Sequence, residues 1–109
     1  MKRLAFVGTS RSDLGAFPQS ARRKAGFQLD RVQRGLDPEN WKPMTSIGSG
    51  VREIRVKETS GAFRVIYVAA FAEAVFVLHA FQKKTRQTAM RDLELAAARF
   101  KELARSMTT

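Results

Sequence analysis

The chain has 109 residues and carries 20 Lys and Arg against 10 Asp and Glu, a net charge of +10. That length suits a single domain, residues 1–109. A hydrophobic fraction of 44 % fills a core, which excludes a disordered polyelectrolyte. The absence of Cys and the single His exclude a disulfide framework and thiolate or His-cluster metal sites, so no metal and no cofactor is expected.

Met1-Lys2-Arg3 looks like the start of a signal peptide, but the apolar run Leu4 to Val7 falls short of the roughly 7–15 residues such a segment needs. Val65 to Phe81 is interrupted by Glu73 and is short against the about 20 residues of a spanning helix. A soluble cytoplasmic protein with no membrane partner is expected. The positive charge is uneven: residues 1–36 carry a net +6 and residues 61–86 a net +3, while residues 37–60 are neutral. Such a field attracts polyanions, nucleic acid or ribosome foremost.

In chain order, Lys2 to Val7 reads as a short strand. Thr9 to Phe17 reads as a short helix capped by Ser10 or Ser12. From Gln19 to Gly35, residues Ala21, Ala25, Leu29, Val32 and Leu36 line one helical face, and Gly35 with Asp37-Pro38 ends the helix. Glu39 to Gly50 reads as a loop pinned by Trp41, Met44 and Ile47. Val51 to Lys57 alternates as a strand, Ser60-Gly61 signals a hairpin, and Phe63 to Phe71 and Ala74 to Gln82 are apolar enough to be doubly covered strands. After the basic corner Lys83-Lys84-Thr85-Arg86, Thr88 can cap a helix to about Arg105. Its apolar stripe is Ala89, Leu93, Ala96, Phe100, Leu103 and Met107. The order β-α-α-β-β-β-α gives an α+β domain with an antiparallel meander.

No phosphate loop or close carboxylate pair stands out, since Gly48-Ser49-Gly50 precedes a strand. The meander does gather cations. Arg52, Arg55 and Lys57 lie on its first strand, Arg64 opens the second, and Lys83, Lys84 and Arg86 close the third, so Arg64 falls between Arg55/Lys57 and Lys83/Lys84. Converging cations repel unless an anion is bound, and Arg and Lys both read phosphate. Arg64 and Lys84 are candidates to stabilise a phosphorane during attack by a 2′-hydroxyl. Arg55, Lys57, Lys83 and Arg86 are candidates to hold RNA, and His79 is the candidate acid or base. For Lys57 a solvated, Lys-blunted sheet edge is an equal alternative. For His79 the alternative is a hydrogen-bonded core residue.

Gly50 to Val56, Phe63 to Tyr67, His79 to Thr85 and the helix Met90 to Phe100 together resemble the phage-derived, HigB-like branch of the RelE/ParE toxin superfamily. The resemblance covers roughly Lys2 to Arg105. It implies a small curved antiparallel sheet with helices on one side, and the toxin half of a type II toxin–antitoxin pair. HigB-like members are ribosome-dependent mRNA endonucleases that inhibit translation. Their partner is a helix-turn-helix antitoxin, and the complex reaches operator DNA through that antitoxin. The family's basic active-site face maps onto Arg55, Arg64, Lys83 and Lys84, with Arg64 in the place of the Arg that contacts the scissile phosphate. One position departs: RelE proper has a catalytic Tyr where this chain has Met90, and the only Tyr is Tyr67, in a central strand. His79 or a Lys could replace it, the ribosome could supply the missing group, or the chain could be a ParE-like toxin that inhibits DNA gyrase by binding alone.

Overall fold

The computed structural model describes residues 1–107; Thr108 and Thr109, the end of the expected domain, lie outside the described residues. Its centre is a five-stranded sheet. β1 (Arg3–Phe6) leads into α1 (Ser10–Gly15) and α2 (Gln19–Gln33). β2 (Trp41–Pro43), β3 (Val51–Glu58), β4 (Gly61–Val68) and β5 (Ala74–Lys83) follow, and α3 (Met90–Met107) ends the order. The strands run β1-β5-β4-β3-β2 across the sheet.

The meander forms as the alternation indicates, with β3 and β4 paired from Val51↔Val68 to Glu58↔Gly61. The hairpin loop is Thr59-Ser60, and Gly61 follows it at φ +138°, a conformation open to glycine. Two expectations are corrected. The sheet is mixed rather than antiparallel, because β1 pairs parallel with β5 from Arg3↔Ala74 to Phe6↔Val77. An apolar strand such as β5 needs a neighbour on both sides, and β1 supplies the second. The segment read as a loop also contains β2, paired with β3 over Arg52–Ile54. It is too short to show a period of its own, and Pro43 is tolerated because β2 is an edge strand.

The helices cover both faces, not one. Leu14 of α1, Phe17 just after it, and Ala21, Ala25, Leu29 and Val32 of α2 pack with Ile54, Val56, Phe63, Val65 and Tyr67. Ala96 and Leu103 of α3 pack on the opposite face with Val51, Ile66, Val68, Phe76 and Leu78. The predicted stripes therefore hold, except at Leu36, which lies beyond the end of α2 and is half exposed, and at Ala89, which precedes α3 and joins neither core cluster. Met44 is buried and Ile47 packs beside it as expected, whereas Trp41 lies half-buried on edge strand β2 under Arg52 and joins neither core cluster.

Two caps differ from expectation. Thr9 is the N-cap of α1 and its Oγ1 donates to Asp13, while Ser10 is buried and donates to the Val77 carbonyl. α3 begins at Met90, after Thr88, whose hydroxyl points to β3.

One irregularity decides what faces what. Ile66 pairs with His79 but Tyr67 pairs with Val77, so Leu78 is an extra residue in β5. Before this bulge, odd-numbered β5 residues such as Val75 and Val77 face α2; after it, Ala80 faces α2 and Phe81 faces α3. The bulge thereby turns His79, Phe81 and Lys83 toward α3. Arg99 of α3 donates to the Leu78 carbonyl at 2.8 Å and holds the irregular turn.

Leu29 and Leu36 share one predicted stripe but only Leu29 is buried. Leu29→Ala is expected to cost about 2–5 kcal/mol in urea unfolding, whereas Leu36→Ala should stay within about 0.5 kcal/mol of the parent. Equal effects would contradict the packing described.

Candidate nucleic-acid interface

The α3-facing side of β3 carries Glu53 and Arg55, and the same side of β4 carries Arg64 directly opposite Arg55 in register. Glu53 is 1 % exposed. Its Oε1 lies 3.6 Å from Arg55 Nε and 3.6 Å from Arg64 Nε. Its Oε2 accepts a hydrogen bond from Thr88 Oγ1 at 3.3 Å. A carboxylate buried without compensation would cost several kcal/mol, and the two guanidinium groups provide that compensation. They are in turn held in place by it. Arg64 is itself buried and donates through Nη1 to the Phe63 carbonyl at 3.0 Å. Burial pulls its pKa below the ordinary arginine value, Glu53 opposes that, and Arg55 adds to it.

Lys83 completes the cluster. Lys57 and Lys83 flank Ala62 from opposite sides in register. Partial burial pushes the Lys83 ammonium below the usual lysine range; Arg64 adds to the shift, Glu53 opposes it, and Arg55 and Lys42 lower it further. The structure thus brings Arg55, Arg64 and Lys83 into one field, with exposed Lys57 at its margin. Lys84 and Arg86 are exposed on the segment between β5 and α3. Lys84 lines a hollow of about 320 Å³ with Lys83, Thr85, Arg91 and Asp92.

His79 sits two residues from Phe81, which pairs with Arg64. The two rings stack at 4.8 Å between centroids. His79 Nε2 is 2.7 Å from Asp92 Oδ1 in the first turn of α3, and its buried Nδ1 makes no hydrogen bond. A carboxylate on one ring nitrogen fixes the tautomer and leaves the other nitrogen as the lone-pair site.

Two residues lie elsewhere. Arg52 faces α2's side of the sheet: it stacks on the Trp41 ring at 3.9 Å and donates to Asp37 at 2.9 Å, a bond that raises its pKa. Tyr67 is also on that side, 1 % exposed, its pKa raised by burial. Tyr67 lines a hollow of about 350 Å³ with Arg52 and Asp37, across the sheet from Arg64, and its hydroxyl is buried, so it cannot replace the Tyr absent at Met90. Met90 is exposed at the start of α3. Among the described residues no three His, Asp or Glu side chains converge as metal ligands would, and no helix is long and apolar enough to cross a membrane.

Sequence reasoning missed Glu53, Asp92 and the link from Thr88. Glu53 was visible as an acid set between two arginines of β3, Arg52 and Arg55. Asp92 carried no local sign of a partner 13 positions earlier.

The fold and the site define a small α+β protein with a basic cluster built on the face of its sheet. The chain belongs to the family described as phage derived protein Gp49-like (DUF891), whose pattern matches residues 12–101. It is a toxin-like family within the RelE/ParE superfamily. A comparison with curated proteins gives no match.

Glu53→Ala leaves a buried arginine unpaired and should cost about 3–5 kcal/mol in denaturant unfolding. Adding Arg64→Met should recover much of that loss, and a double variant no more stable than the single one would contradict the pairing. Lys83 titrates below its unfolded value, so its charge opposes folding at pH below both values, and this penalty fades as pH rises past the folded value. Lys83→Gln is therefore expected to raise Tm at neutral pH, with the gain shrinking at alkaline pH; a lower Tm would count against it.

Proposed function

We propose that the protein is the toxin of a type II toxin–antitoxin pair. In this reading it is a HigB-like endoribonuclease that cuts mRNA on the ribosome and inhibits translation in the cytoplasm. The observation that carries this reading is the convergence of Arg55 and Arg64 on a buried carboxylate within the field that Lys83 feels, one stacked ring away from His79. Cations gathered at the cost of mutual repulsion suit a phosphodiester.

In the reaction, the 2′-oxygen attacks the neighbouring phosphorus and its proton passes to a base. The bond to the 5′-oxygen breaks, leaving a 2′,3′-cyclic phosphate and a 5′-hydroxyl that takes up a proton. Arg64 and Lys84 stabilise the added charge on the phosphorane oxygens. Arg55, Lys57, Lys83 and Arg86 hold the flanking RNA. His79, held through Nε2 by Asp92, is the acid or base. No metal or cofactor takes part. A helix-turn-helix antitoxin neutralises the protein, and an acidic antitoxin segment over the basic face would do so directly. The complex meets operator DNA through the antitoxin.

The exposed Met90 in place of a Tyr, with Tyr67 across the sheet, favours the second reading, a ParE-like inhibitor of DNA gyrase without nuclease activity. Inducible expression alone and with the neighbouring gene, with mapping of mRNA 5′ ends and a gyrase supercoiling assay, separates the two. New cleavages on translated mRNA that vanish with Arg64→Ala plus Lys84→Ala support the nuclease. Intact mRNA with inhibited gyrase sinks it. Asp92→Asn should slow cleavage at least tenfold while leaving RNA binding intact.

A further inference from the structure

The cation cluster does not stop at the sheet face. β2 covers β3 only as far as Ile54, so the last residues of β3 form a sheet edge facing α2. A cleft of about 420 Å³ opens there, floored by Phe27 of α2 and Val56, and rimmed by Arg23, Lys24, Arg55 and Lys57. Phe27 is 55 % exposed, the most exposed aromatic among the large hydrophobics of the surface. Arg55 belongs to both places: it lines this cleft and pairs with Glu53 beside Arg64.

We propose that the Phe27 cleft is a stacking subsite for single-stranded RNA, receiving a base that flanks the phosphate held at Arg64. The inference rests on the nuclease reading and adds a position to it. An aromatic ring open to solvent between cations is the pattern that takes a nucleobase on its face and phosphates at its sides. Arg23 and Lys24 of α2 stand at the rim beside Arg55 and Lys57 of β3; Lys24 is paired with Glu58, and Glu39 is engaged by Gln28 through two hydrogen bonds, so Arg23 and Lys57 carry the rim's unanswered charge. A peptide strand fits less well. The backbone edge of β3 is already occupied there, since Arg55 N–H donates to Asn40 and the Lys57 carbonyl accepts from Lys24. Little ladder remains for an added strand.

The test is binding, read apart from cleavage. A short fluorescein-labelled 2′-O-methyl RNA, which cannot supply the attacking hydroxyl, is titrated with the whole protein in fluorescence anisotropy at fixed low salt. Phe27→Ala is expected to weaken binding about tenfold, and Phe27→Trp to retain it with quenching of indole emission beyond that of the parent, whose one Trp is Trp41. Circular dichroism confirms that the variants fold; Phe27 is exposed, so they should. If Phe27→Ala binds like the parent, or Phe27→Trp binds without extra quenching, the subsite is refuted. The nuclease reading then still stands if Arg64→Ala plus Lys84→Ala abolishes mRNA cleavage in cells. If Phe27→Ala leaves RNA binding unchanged but weakens binding of an acidic polyglutamate peptide, the cleft is a protein-docking site instead. If the parent itself binds no free RNA, the subsite is refuted, and mRNA cleavage in cells decides the ribosome-dependent nuclease reading separately.

Discussion

The extra residue at Leu78 sets the arrangement of everything on the α3 side of the sheet. In a strand whose side chains alternate, a one-residue slip exchanges the two faces for all residues beyond it. Without the bulge, His79, Phe81 and Lys83 would follow Val75 and Val77 toward α2, and Ala80 would stand opposite Arg64. With it, the end of β5 presents a ring, a histidine and a lysine to the face where β3 and β4 already carry Glu53, Arg55 and Arg64. The bulge follows the last residue that β1 covers, where β5 loses its outer neighbour and bending disturbs least. Arg99 reaches across from α3 to the freed carbonyl, which ties the helix to the irregularity.

The second constraint is electrostatic. A sheet face that buries one carboxylate must also bury its compensation, and Glu53 draws Arg64 into a position where burial lowers its pKa. The spacing of 3.6 Å is that of an ion pair without a good hydrogen bond, and both Nε atoms are left without an acceptor. Such a pair contributes little to stability compared with apolar side chains of the same size. What it does provide is orientation: two guanidinium groups share one carboxylate oxygen and cannot swing independently. Thr88 on the other oxygen extends that order to the entry of α3, where Asp92 holds His79.

Much of the architecture was legible in the sequence because its signals are periodic. The stripes Ala21–Val32 and Ala96–Leu103 are buried as their spacing indicates, and the alternation of β3 gave the register that sets Arg64 beside Arg55. Three features were not legible, each for a physical reason. β1 lies parallel to β5 through contacts some 70 residues apart, about which local composition is silent. β2 is too short to have a period. The bulge falls within Ala74–Phe81, where nearly every residue is apolar, so a shift of face leaves no mark on the pattern. Of the candidate site, Arg55, Arg64 and Lys83 converge as the meander required. Arg52 does not, because its even number places it with Trp41 and Asp37 on the other face.

The net charge of +10 is not one field but two kinds of cation. On α2, charge is largely answered close by: Arg34 pairs with Asp30, Lys24 with Glu58, and Arg31 donates to the Asp37 carbonyl. Those groups support the helix and its junction with the sheet while adding little local potential. The cations of the sheet are different. Arg55 and Arg64 share a single buried carboxylate, Lys83 lies in their field, and Lys42 adds to the potential that Lys83 feels. Excess potential of one sign over a low-dielectric face attracts an anion far more strongly than the same charge dispersed on a helix. It also weakens the fold that bears it, and a small domain tolerates that only where the rest of its core is well covered. Here both faces of the sheet are covered, α1 and α2 on one side and α3 on the other, and the uncovered part is the end where the cations stand.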